Sequence, residues 1–181
     1  MPVRNLEYLF HEILKDVYYL SNRLLRTLTK MADGTNSVEL AAIFENRWGQ
    51  TKGHVQRLEK VFAILGKHPE GRTWPIIDGI IDEGPDFVEH YKSSPALDAG
   101  LLASAQAVAQ YEITRYTTLK RWAAMLGMQD AVRLLDEALL EATQSNQDMN
   151  ALADRMANAK MPATILTFEA VPRAALLSEV A

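Results

Sequence analysis

The 181-residue sequence contains no cysteine. That excludes disulfides, thiol catalysis and cysteine-ligated metals, so any metal would depend on histidine or carboxylate ligands. The chain also lacks a run approaching the ~20 apolar residues that a membrane span requires. Its opening stretch, MPVRNLEYLFHEILKD, breaks its apolar residues with charge at every turn, which suits neither a signal peptide nor an anchor. There is no surplus of positive charge: 19 Lys and Arg face 23 Asp and Glu, for a net charge of -4. A nucleic-acid partner would gain no electrostatic support from such a balance. No glycine-rich phosphate loop, Ser-His-Asp arrangement or HExxH helix motif is present. No segment alternates with period two, so no strand is predicted. These absences describe a soluble, cytoplasmic protein with no membrane and no nucleic-acid partner.

What is present is helical periodicity. Leu6, Leu9, Phe10, Ile13, Val17, Leu20, Leu24, Leu28 and Met31 recur at steps of three and four, with Asn5 as N-cap and Gly34 after the last turn. A second helix starts near Ser37 and carries Leu40, Ile43, Phe44, Trp48, Thr51, Val55, Leu58, Phe62 and Leu65, with Gly66 as a left-handed cap. A third carries Leu102, Ala105, Ala109, Glu112, Tyr116, Leu119, Ala123 and Leu126, closed by Gly127. The fourth, capped by Asp130, carries Leu135, Ala138, Ala142, Ser145, Met149, Leu152 and Met156. Short turns make each pair an antiparallel hairpin. Residues 67–98 between the pairs are too long for an unstructured loop. Ile76, Ile77, Ile80 and Ile81, then Phe87, Val88 and Tyr91, predict two short helices parted near Gly84-Pro85. The expected fold is all-α: a ferritin-like antiparallel four-helix bundle over residues 1–161, with a long, partly helical crossover between helices two and three. Residues 162–181 form a tail that docks or stays partly disordered.

Polar residues on the buried seams carry the functional question. Ser21 lies one turn beyond Val17, Gln50 and His54 flank Thr51–Val55, Glu112 occupies the third seam, and Ala142 and Asn146 share a height on the fourth. The spacing repeats between hairpins: 29 residues separate Ser21 from Gln50 and 33 separate it from His54, against 30 and 34 from Glu112 to Ala142 and Asn146. One position on a first helix with an i, i+4 pair on the second is how a pseudo-twofold bundle converges side chains on its centre. Of these six residues only Glu112 is a carboxylate.

The stretches LFHEILKDVYY, TKGHVQRLEKVFAILGKHPEG, IIDGIIDEG, QYEITRYTTL and LLDEALLEA resemble the YciE/YciF-type ferritin-like proteins of bacteria, over roughly residues 5–157. The resemblance implies a stress-associated dimer related to rubrerythrins and ferritins, built around a dimetal centre. It would place glutamates at Ser21, Gln50 and Ala142, an aspartate at Asn146, a histidine at His54 and a glutamate at Glu112. A one-residue slip in the fourth helix would make Glu141 the carboxylate. His54 and Glu112 match that pattern and the other four depart from it. Arg47, one turn before Gln50, further discourages a cation.

Two dications need several anionic ligands, so no cofactor is expected; a single weakly held metal on His54 and Glu112 is the most that the pattern allows. Three functional readings follow. The first is a non-enzymatic, dimeric, stress-associated protein built on a degenerate dimetal site. The second is a weak metal-dependent oxidase. The third is a metal-free enzyme or small-molecule binder using a central cavity lined by Ser21, Gln50, His54, Glu112, Ala142 and Asn146, with His54 and Glu112 as candidate catalytic acid and base. In the plainest reading His54 and Glu112 are a hydrogen-bonded pair satisfied by Ser21, Gln50 and Asn146. Tyr18, Tyr19, Tyr111 and Tyr116 are expected at bundle edges. His11, His68 and His90 are expected at the surface, and Lys52, Arg57, Glu59 and Lys60 on a solvated helix face.

Overall fold

The computed structural model describes residues 5–158. Five helices follow in order: α1 (Leu6–Gly34), α2 (Val38–Ile64), α3 (Pro75–Tyr91), α4 (Leu97–Met125) and α5 (Gln129–Asn158). No strand occurs among the described residues. α1 packs on α2 and α4 on α5; the ring closes through α2 on α5 and α1 on α4, while α3 lies across α1 and α4. This is the predicted pair of hairpins joined by one long crossover. The 162–181 tail lies outside the described residues.

The helix ends follow from local chemistry. Asn5 accepts the Tyr8 amide at 2.9 Å and Ser37 accepts the Leu40 amide at 3.2 Å, each satisfying one of the first unpaired N–H groups. α2 and α4 end alike. Gly66 and Gly127 adopt φ of 65° and 75°, and the amides of Lys67 and Met128 reach back to the carbonyls of Phe62 and Ala123. Both are the glycine-terminated reversal that lets a helix turn straight into the next connection. Asp130 does not cap α5: the helix begins at Gln129, and the Asp130 carboxylate sits inside its first turn, where it complements the helix dipole.

The crossover corrects a prediction. It is not two short helices parted at Gly84-Pro85, because α3 runs unbroken through Pro85. Ile77, Ile81 and Gly84 lie on one buried stripe, continued by half-buried Val88. Burying that stripe against α1 and α4 offsets the helical hydrogen bond that Pro85 cannot make. Gly84 is needed for the close approach: a Cβ there would stand 2.7 Å from Met31 Sδ and 3.0 Å from Ser104 Oγ.

The apolar core falls into two clusters. One gathers Leu20, Leu24, Leu28, Phe44, Leu101, Ala109 and Met149 with α3; the other gathers Phe10, Leu14, Val17, Leu58, Phe62, Tyr116 and Ala138. Between them on α2, α4 and α5, and beside Leu20 at their boundary on α1, come buried polar residues: Ser21, Arg47, Thr51, His54, Glu112, Ser145 and Asn146. The bundle is thus interrupted at mid-height by a polar layer.

Candidate functional site: a polar layer closed by a buried arginine

Helical phase decides which α2 residues enter the layer. Phe44, Arg47, Thr51, His54 and Leu58 are all buried and follow one another at steps of three and four. That row is the true inner seam of α2. Trp48, predicted on it, is 40% exposed, and Val55 is only half-buried. Gln50 lies off the seam too and remains half-buried at the edge of the layer. The remaining candidates stand where predicted: Ser21, His54, Glu112, Ala142 and Asn146 are all buried, none more than 6% exposed.

Arg47 dominates the geometry. Its Nη2 donates to Glu112 Oε2 at 2.5 Å, with the two side chains 4% and 1% exposed. Its Nη1 donates to the Ala105 carbonyl at 3.2 Å and lies 3.8 Å from Met149 Sδ. The side chain therefore crosses from the first hairpin to both helices of the second. A hydrogen bond between two ionised groups is among the strongest single contacts a core can hold, and a guanidinium cannot discharge itself by losing a proton.

His54 bridges the interior and the surface. Its Nδ1 is 4.0 Å from Glu112 Oε1, too far for a hydrogen bond. Its Nε2 is 3.1 Å from Glu141 Oε2, but out of line for an aligned hydrogen bond. Glu141 also receives two N–H groups of Arg57, at 2.6 and 3.0 Å, and Arg57 Nε reaches Glu137 at 3.1 Å. His54 beside it, with Arg57, brings the Glu141 carboxyl down to about 2. Ala142 does face the layer, while its neighbour Glu141 bends in from the flank. Arg57 is accordingly not on a solvated face, unlike exposed Lys52, Glu59 and Lys60.

Tyr116 is not at a bundle edge. It is fully buried, with its ring 5.5 Å from that of His54. Burial raises its phenol above the ordinary range, and the Glu112 charge adds to that. His11 also differs from its predicted surface position: it is half-buried edge-on against Phe62, and burial lowers its pKa. His68 and His90 are exposed, and Tyr18, Tyr19 and Tyr111 are half-buried.

The plain prediction of a satisfied polar cluster also needs correction. Ser21 Oγ, both ring nitrogens of His54, Glu112 Oε1, Tyr116 Oη and Asn146 Oδ1 are buried without a protein hydrogen-bond partner. The hydrogen bonding of the layer is concentrated on one oxygen of Glu112. Sequence reasoning missed Arg47 and Tyr116 as members of the layer. The signal that could have found Arg47 is its spacing of four and seven from Thr51 and His54, which places all three on one helix face.

These residues do not fit a dimetal centre. Among the described residues, no three His, Asp or Glu side chains are grouped to hold a metal ion. His54 and Glu112 supply one nitrogen and one free carboxylate oxygen, and a guanidinium already occupies the other oxygen. Nor is any helix of the described residues long and apolar enough to cross a membrane.

Comparison with known proteins places the chain. The family model described as a domain of unknown function, DUF892, matches residues 5–162. Protein YciF of Escherichia coli (strain K12) is 30% identical over 161 residues, covering 88% of this chain and 97% of YciF. The crystal structure of the E. coli stress protein YciF superposes with a TM-score of 0.82 at 30% identity, over 87% of this chain and 100% of that one. YcfI of Rhodopseudomonas palustris, for which a structural role has been suggested, gives a TM-score of 0.78 at 35% identity, over 82% and 95%. Family model, sequence and fold agree over nearly all the described residues, and the chain belongs to the DUF892 family of YciF-type proteins.

Proposed function

We propose that this protein is a non-ferroxidase, dimeric member of the stress-associated YciF-type group, with a structural role and a degenerate dimetal site at the centre of a ferritin-like bundle. The observation that carries this reading is the composition of the layer. Of the six positions at which the family resemblance implies ligands, only His54 and Glu112 offer ligand side chains, and Gln50 is not drawn in. Two dications cannot be balanced by one carboxylate that already carries an ion pair. The stress association and the structural role follow the names given to YciF and YcfI, and a cytoplasmic setting suits the cysteine-free chain. Self-association is supported by exposed large apolar residues, among them Val38, Trp48, Ile76, Met125 and Leu140.

The test is anaerobic loading with ferrous iron, then exposure to oxygen and elemental analysis. Well under one iron per chain and no catalysed oxidation are expected. Two tightly held metals per chain, or rapid oxidation, would sink the reading. Sedimentation at micromolar concentration tests the dimer, and a species of only 20.3 kDa would remove it.

A second reading has its own support. Six unpartnered buried polar atoms could hydrogen-bond a small neutral ligand in a metal-free enzyme or binder, with His54 and Glu112 as acid and base. High-resolution density decides between the two: organic density bridging Tyr116, Ser21 and Glu112 favours the ligand site, and water alone favours the structural bundle.

A further inference from the structure

The layer departs from a metal site in a way that the loss of ligands does not explain. Exchanging carboxylates for Ser, Gln, Ala and Asn would leave one carboxylate, Glu112, in an otherwise uncharged polar centre. It would not bring a guanidinium into the core. Yet Arg47 is 4% exposed, and its two terminal nitrogens reach three groups on α4 and α5: Glu112 Oε2, the Ala105 carbonyl and Met149 Sδ. Glu112 is the only acidic residue of the layer that is fully enclosed; Glu141 is 33% exposed and has Arg57 for its own partner.

We infer that Arg47 is the resident cation of this bundle: its guanidinium stands on Glu112 where a metal ion would, joins the two hairpins, and bars a divalent cation from the centre. Three properties suit it to the role. It carries a permanent positive charge, so the carboxylate stays balanced whatever the metal supply. Its planar fork spans from α2 to two helices at once, as a bridging ion would. It is also bound to Oε2 of the same carboxyl group whose Oε1 is free, so a dication approaching Oε1 and His54 Nδ1 meets a like charge in a buried site. This goes beyond the functional reading above, which concerns what the centre lacks.

The test is a double-mutant cycle on the full chain, with Arg47→Met, Glu112→Gln and both together, unfolded in urea with and without millimolar cobalt(II). Each single change is expected to lower the folding equilibrium constant by roughly 10²–10³-fold, because it strands a buried charge or a buried guanidinium. The double change should lose at least about tenfold less than the two losses combined. Combined losses that simply multiply would overturn the inference. Cobalt should leave the wild-type midpoint unmoved and raise that of Arg47→Met, in which Glu112 and His54 are uncovered. A cobalt response in the wild type, or none in Arg47→Met, would overturn the exclusion. If Arg47→Met does not fold, a folded double variant confirms the coupling and an unfolded one refutes it. Iron oxidation by the wild type would instead strike the functional reading, whereas multiplicative losses strike only this inference.

Discussion

Arg47 meets Glu112 with the two side chains 4% and 1% exposed, whereas Arg72 meets Asp16 with its own guanidinium 36% exposed. Arg72 holds the start of the crossover to α1. It makes two hydrogen bonds to Asp16, at 2.9 and 3.0 Å, and one to Glu12 at 2.7 Å, and its guanidinium stacks 4.4 Å from the Trp74 ring. Further along, Tyr19 donates to Asp78 at 2.6 Å and Arg23 to Asp82 at 2.5 Å. The crossover seam thus shares its load among several partners; Asp16 itself is buried, but the guanidiniums of Arg72 and Arg23 keep contact with water and with a second carboxylate each. The central pair has neither a substitute partner nor solvent. The same chemistry is therefore irreplaceable in one place and redundant in the other.

The largest effect should come from breaking the central pair. Glu112→Ala is expected to cost about 3–5 kcal/mol, since it leaves a guanidinium buried and unpaired, measured as a fall in the urea midpoint at unchanged slope. Asp16→Ala should cost less, about 1–3 kcal/mol, because Arg72 keeps Glu12 and solvent. Equal losses at the two sites would erase the distinction drawn between them. A smaller effect of opposite sign is expected at Asn146, whose Oδ1 is buried without a partner. Asn146→Leu should be neutral or stabilising by up to about 1 kcal/mol, since it removes a buried group that no protein atom satisfies. A clear loss there would mean that a bound water or ligand occupies the layer.

Much of the fold was legible because helical periodicity and capping residues are local signals. The α1, α4 and α5 seams, apart from Leu9, which is 45% exposed, the Asn5 cap, the start of α2 near Ser37 and the two glycine stops follow from local sequence signals alone. Two features were not legible, for different physical reasons. Pro85 is a strong local breaker, but the stripe through Ile77, Ile81 and Gly84 is buried against two other helices, and that non-local burial outweighs it. On α2, hydrophobicity alone favours Trp48 and Val55 for the seam, and Arg47 reads only as a charge one turn from Gln50 that discourages a cation. The actual phase is set by Phe44, His54 and Leu58, and Arg47 is tolerated inside only because Glu112 awaits it from a helix 65 residues away in sequence. The positions of Ser21, Glu112 and Asn146 in the layer were readable; the lack of partners at Ser21 Oγ, Glu112 Oε1 and Asn146 Oδ1 was not, because it depends on where the arginine points.

Acid titration should separate the two regions once more, by sign rather than size. His54 and Arg57 depress Glu141 to about 2, so the unfolded chain binds the more protons there. Stability from Glu141 is present above its unfolded value and is lost as pH falls toward 2. Asp16 behaves oppositely. Burial raises its carboxyl above the ordinary value, with Arg72 opposing, so the folded chain binds the more protons and this contribution declines as pH rises through the folded value. Glu141→Gln should therefore flatten the loss of stability on acidification between the usual carboxylate range and pH 2. Asp16→Asn should steepen the loss at higher pH, between the ordinary carboxyl value and the raised folded value of Asp16. Urea midpoints of the wild type and both variants at a series of acid pH values measure the two slopes. If the variants change slope in the same direction, the carboxylates share one environment, and the division between a charge-held flank of the layer and a burial-strained crossover seam fails.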